Sequence, residues 1–136
     1  MPLDRERYLG LAHFRYALRR FLAASERISG EAGVTSPQYQ AMLAIGVAAA
    51  PLTMKDLAEE LMLQPHAAVQ MVDRLQKLGL VERRASPADG RSVLLALTVQ
   101  GEARVSTLAA QHLDEMLKQE PRLSDALKQL KTKGKG

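Results

Sequence analysis

Gln64, His66, Ala67, Gln70 and Arg74 fall within about three helical turns of a stretch whose apolar residues recur at helical spacing. Their types suit one kind of chemistry. The Gln70 carboxamide can donate to and accept from an adenine edge at once, the Ala67 methyl fits against a thymine methyl, and His66 can donate to a purine acceptor or, when protonated, to a phosphate. Arg74 can reach a phosphate or a base, with Asp73 beside it to hold its guanidinium. On any amphipathic helix the same positions are simply a solvated face. The surrounding elements decide between the two readings.

A second set lies downstream. Arg83 and Arg84, with Lys55 upstream, are candidates for backbone contacts that position without specifying. Asp89-Gly90 is a strong hairpin signal between two β-rich runs, Val81 to Ala85 and Ser92 to Thr98, and it sets Asp89 to shape the turn that carries Arg91.

Catalytic patterns are missing. His13, His66 and His112 do not make a metal spacing such as HExxH, and there is neither a phosphate-cradling glycine loop nor a nucleophile elbow. His112 falls on an apolar stripe, where a satisfied core histidine is expected. Asp114 and Glu115, two and three positions on, do not all share its face. Neither a metal nor a cofactor is expected.

The elements that would position the reading residues follow in a fixed order. Thr53-Met-Lys-Asp56 predicts a helix start with Thr53 as N-cap, and Leu57, Ala58 and Leu61 give that helix one apolar face. Pro65 suits the first position of a second helix. That helix turns Ala68, Val69, Val72, Leu75 and Leu78 inward and ends at Gly79 as a C′ residue. Two short helices and a two-stranded ribbon bury little alone, so they must form a layer on longer helices.

The runs Met54-Lys-Asp-Leu-Ala-Glu-Glu-Leu61, Val72-Asp-Arg-Leu75, Gly79-Leu-Val-Glu-Arg83, Asp89-Gly-Arg91 and Leu97-Thr98-x-x-Gly101 together resemble the multiple antibiotic resistance regulator (MarR) family. The resemblance covers the central module closely and the flanks in layout. It implies a mainly α fold with a small β-hairpin: a winged helix-turn-helix whose N- and C-terminal helices form a dimerisation domain. It also implies that Arg91 enters the minor groove, whose narrow width concentrates the negative potential that favours an arginine. Relatives often carry a basic residue at the position of Gln70, so this chain departs from them where bases are read.

The flanks are long helices. Asp4 to Ser29 carries Leu11, Phe14, Leu18, Phe21, Leu22 and Ile28 at helical spacing. Ser36-Pro37 predicts the next helix start, with Ser36 as N-cap, and Tyr39, Met42, Leu43 and Val47 on a nearly uncharged helix that Pro51 stops. Thr98 is expected to cap a helix reaching Gln119, striped with Val105, Leu108, Ala109, His112, Leu113, Met116 and Leu117. Glu120-Pro-Arg is read as a break before a last short helix, Leu123 to about Lys131. One 136-residue domain results, with dimerisation helices at 1–35 and 99–131, the DNA-binding region at 36–98 and a disordered basic tail at 132–136. Its wide terminal apolar surfaces predict a twofold homodimer.

Composition narrows the class. The absence of cysteine excludes disulfides and thiol-based sensing. Aromatics at 4% make base stacking an unsuitable binding mode. No apolar run approaches the ~20 residues of a membrane span, and the polar start MPLDRERYLG is unlike a signal peptide. A cytoplasmic protein without membrane contact is expected. Net charge is +4, yet six bases balance six acids from Leu52 to Thr98. Three of those acids sit on the first short helix and four of the bases follow position 76, which turns the basic side toward phosphates.

The expected function is a ligand-responsive repressor that binds a pseudo-palindromic operator in double-stranded DNA as a homodimer. The resemblance implies a small-molecule site, and His13, Tyr16, Arg20, Tyr39 and Met42 are its candidates for a small organic effector, an anionic aromatic one by expectation. The alternatives are a winged helix used only for protein contacts and a metal-responsive regulator.

Overall fold

The computed structural model describes residues 2–131, so the proposed tail at 132–136 lies outside the described residues. In chain order the elements are α1 (Arg5–Glu31), α2 (Ser36–Val47), β1 (Leu52–Thr53), α3 (Met54–Leu61), α4 (Pro65–Lys77), β2 (Val81–Ala85), β3 (Val93–Leu97) and α5 (Val99–Lys131). They divide into two compact units, one running up to Ile28 and again from Ala110, the other from Ser29 to Ala109.

The terminal unit is an antiparallel helix pair. Tyr16 of α1 meets Arg122 of α5, and Ser25 meets His112. At Gly10 the helices come so close that an added Cβ would lie 3.0 Å from both the Ala126 carbonyl oxygen and Leu130. A stripe of Ala17, Ala24, Ile28 and Ala126 is buried. His112 is buried too; its Nε2 shares a 2.7 Å hydrogen bond with Ser25 Oγ, and Phe21 meets it edge-on. Much of the expected apolar stripe faces outward within one protomer: Leu113 is 55%, Met116 53% and Leu117 61% exposed.

The sequence predicts a break at Glu120-Pro-Arg; α5 runs through it. Proline removes one helical hydrogen bond and crowds the preceding turn. Contacts to α1 on both sides of Pro121, at Arg122 and His112, hold the helix line across that loss.

The central unit has its core in Met42, Leu57, Leu75, Leu80, Leu95 and Leu108, all almost fully buried. The sheet has three antiparallel strands in the order β1-β3-β2, one more than the predicted ribbon. Leu52 pairs with Leu95 and Thr53 with Leu94. Two residues are too short for an alternating pattern to show, and β1 forms because β3 offers it a free edge. Thr53 also caps α3, accepting from the Asp56 N–H while Asp56 accepts from the Thr53 N–H, and those bonds hold the Asp56 carboxyl below its ordinary range. On α2 the cap is Thr35, paired reciprocally with Gln38, rather than Ser36; a residue earlier than expected, it leaves Ser36 inside the helix and buried. Val69 and Leu78, expected inward, are 39% and 48% exposed, and Val47 at the end of α2 is 72% exposed.

The Leu97-Thr98-x-x-Gly101 pattern is a clasp. Thr98 donates from its N–H to the Leu80 carbonyl and from its hydroxyl to the Gly79 carbonyl, and it caps α5 by accepting from the Gly101 N–H at 3.0 Å. A Cβ on Gly101 would lie 2.0 Å from the Leu80 carbonyl oxygen, so only glycine allows this approach. The end of the hairpin is thereby locked to the end of α4.

Candidate nucleic-acid interface

The reading face is built by α4. Ala68, Val72 and Leu75 bury one side of it. His66, Gln70, Arg74 and Lys77 stand exposed on the other, Gln64 is exposed at its start, and Ala67 is half-buried. Gln64 is the N-cap residue, but its side chain makes no capping bond, which leaves the carboxamide available. The turn before it is tight: Met62 takes a left-handed conformation at φ 56° and is 92% exposed, and its N–H returns to the α3 carbonyls.

The flank of α4 nearest the hairpin carries an unforeseen arrangement. Asp73, expected to hold Arg74, pairs with Arg83 of β2 at 2.6 Å. The other guanidinium nitrogen of Arg83 donates to the Gln76 side chain. The sequence neighbour lost because side chains at i and i+1 diverge on a helix, whereas β2 brings Arg83 across. Arg84 pairs with Glu82 on its own strand, donating from Nε at 2.6 Å. Arg74 makes no ion pair among the described residues.

At the tip of the wing Asp89 does what its position suggests. Its Oδ1 accepts from the N–H groups of Arg91 at 2.9 Å and Ser92 at 3.0 Å, and its Oδ2 accepts from the Ser92 hydroxyl. The Ser92 and Arg91 N–H groups hold its carboxyl below the ordinary range. Gly90 takes φ +68°, and the loop closes through Gly90 N–H to Ser86 C=O and Ser86 N–H to Ser92 C=O, both 2.8 Å. Arg91 projects from this braced turn, exposed.

The five effector candidates divide between the two units. In the terminal unit His13 Nδ1 shares a 2.9 Å bond with Gln129, and Tyr16 accepts from Arg20 at 3.2 Å. The Arg20 and Arg122 guanidiniums lie 5.7 Å and 5.6 Å from the Tyr16 ring centre. Arg122 was not foreseen, because nothing local to it signals that an antiparallel helix brings it to Tyr16. In the central unit Tyr39 and Met42 are buried, and burial raises the Tyr39 hydroxyl above its ordinary pKa. Also in that unit, α2, β3 and the first turns of α5 line an open cavity of about 500 Å³, which includes exposed Val47 together with Arg84 and Glu102. Among the described residues no group of three His, Asp or Glu side chains converges to hold a metal ion, and no helix is long and apolar enough to cross a membrane.

The model of the MarR family matches residues 32–92, which include both short helices and most of the wing. The chain is 38% identical over 68 residues to the organic hydroperoxide resistance transcriptional regulator of Bacillus subtilis (strain 168), a match that covers 50% of this chain and 46% of that relative. It thus spans about half the length of the curated relative. A crystal structure of a MarR family transcription regulator superposes with a TM-score of 0.73 at 28% identity, over 89% of this chain and 80% of the other. A Staphylococcus aureus MepR variant, solved bound to an oligodeoxyribonucleotide, gives 0.68 at 19% identity over 79% and 78% of the two chains, a likeness of fold alone.

Proposed function

We propose that this chain, which is similar to the MarR family of transcriptional regulators over residues 32–92, binds a pseudo-palindromic operator in duplex DNA as a homodimer and represses from it. One observation carries this reading. The exposed face of α4 and an arginine on a braced hairpin tip belong to the same compact unit, with Asp89 holding the turn behind Arg91. A helix and a β-hairpin are elements that two adjacent grooves accept. Gln70 reads a base in the major groove, Arg91 enters the minor groove, and Arg74 and Arg84 contact the backbone. The MepR variant, which has the same fold, was solved bound to an oligodeoxyribonucleotide, and that supports DNA as the partner.

The dimer reading rests on the terminal unit, where Leu11, Leu22, Leu113, Met116 and Leu117 are 46–61% exposed along α1 and α5. A second copy that covers these side chains removes that apolar surface from water. An anionic aromatic effector suits the exposed Tyr16 beside Arg20 and Arg122, and by favouring one spacing of the two reading heads it lowers operator affinity.

Selection of bound sites from a random duplex pool tests the proposal. The expected product is a two-half-site sequence with half-site centres about 34–36 Å apart, one DNA turn. A pool that returns no enriched sequence contradicts operator recognition.

A further inference from the structure

We propose that Arg83 is a positioning residue for duplex recognition, which grips α4 at Asp73 and Gln76 and so fixes the wing at the offset where Arg91 and the α4 face engage neighbouring grooves together. The inference rests on the DNA-binding reading and deepens it. Both acceptors lie on one flank of α4, three residues apart, and each takes a different nitrogen of the guanidinium. A two-pronged grip sets rotation as well as distance, which a single contact does not.

Arg83 stands in the middle of β2, paired with Leu95 of β3. The same ladder runs out at Ala85 and Val93, where the loop carrying Arg91 begins. Any tilt of β2 against α4 is therefore passed along the ladder to the wing tip. The Thr98 clasp anchors only the base of the hairpin, at Gly79 and Leu80, and Arg83 adds a second contact to α4 further along β2 toward the wing tip.

Two comparisons separate this role from phosphate contact. Among the described residues Arg84 pairs with Glu82 on the same strand, a pair that does not reach α4. The Arg83 charge is already met by Asp73, which makes it a poor counter-ion for DNA. The side chains of the pair are 28% and 52% exposed, and such a pair adds little to stability. What it contributes is orientation.

The test measures duplex affinity across salt concentrations for the full chain, using the selected duplex. The variants are Arg83→Met, Gln76→Ala, Arg91→Ala and the double variant Arg83→Met with Arg91→Ala. Arg83→Met is expected to weaken binding about tenfold, as loss of coupling between contacting residues does, with the salt slope unchanged. Against Arg91→Ala it costs little more, because the wing then has no contact to misplace. Should Arg83→Met fail to fold by circular dichroism, Gln76→Ala, which leaves the ion pair intact, is read by the same criteria. A slope that falls by about one unit marks a phosphate contact and overturns the proposal. Equal losses in both backgrounds, or no loss, overturn it as well. If the wild-type chain binds no duplex at all, the DNA reading fails, and the clamp with it; if it binds and the variants match it, the clamp alone fails.

Discussion

Asp89 and Arg91 divide one task. The carboxylate is spent on backbone N–H groups, and the guanidinium beside it is left to project. Because Asp89 is held below the ordinary carboxylate range in the folded chain, the stability it contributes is fully present above its unfolded pKa and is lost as pH falls through the lowered folded value. The protection of the Arg91 and Ser92 amides, measured by NMR as exchange relative to the intrinsic rate at each pH, is expected to fall on that acid limb. In Asp89→Ala the exchange should already be fast at neutral pH, with no acid step. Arg91→Ala should cost ~1–3 kcal/mol of duplex affinity, the worth of one specific groove contact, while melting temperature stays unchanged. Affinity equal to wild type would remove the wing from recognition.

Elements were legible in the sequence where a local rule decides them. Thr53 and Asp56 announce a capping box, Pro65 a helix start, Gly79 a helix end and Asp89-Gly90 a hairpin, and each stands as expected. What was not legible depends on partners distant in the chain. Pro121 reads as a break from its own chemistry, yet α1 holds α5 together on either side of it. Strand β1 exists only because β3 has an open edge, and Asp73 turns to Arg83 because β2 delivers it. The Leu97-Thr98-x-x-Gly101 pattern shows in the sequence as a motif, while its cause, a carbonyl oxygen where a Cβ would be, shows only in the fold. Gly101→Val is therefore expected to destabilise the protein by about 3 kcal/mol through overpacking, a fall of roughly 10 °C in Tm. An unshifted thermal midpoint would mean that the clasp at Leu80 yields freely.

For the whole molecule the open question is the surface of the terminal helices. Leu113, Met116 and Leu117 lie within about one helical turn, all more than half exposed. The proposed homodimer would cover them. Sedimentation velocity at micromolar concentration is expected to give a dimer, and Leu117→Glu to shift it toward monomer without loss of helix content. A wild-type monomer would leave the pseudo-palindrome without its basis.

The central claim is that the α4 face and the Arg91 wing engage duplex DNA. Equilibrium binding of the wild-type chain to a selected duplex, titrated across salt, tests it most directly. Each neutralised phosphate contributes ~0.9 to the slope of log affinity against log salt. The account predicts a slope of several units, reduced by about one in Arg84→Met, with two protomers bound per duplex. Salt-independent binding, or none at any salt, contradicts it.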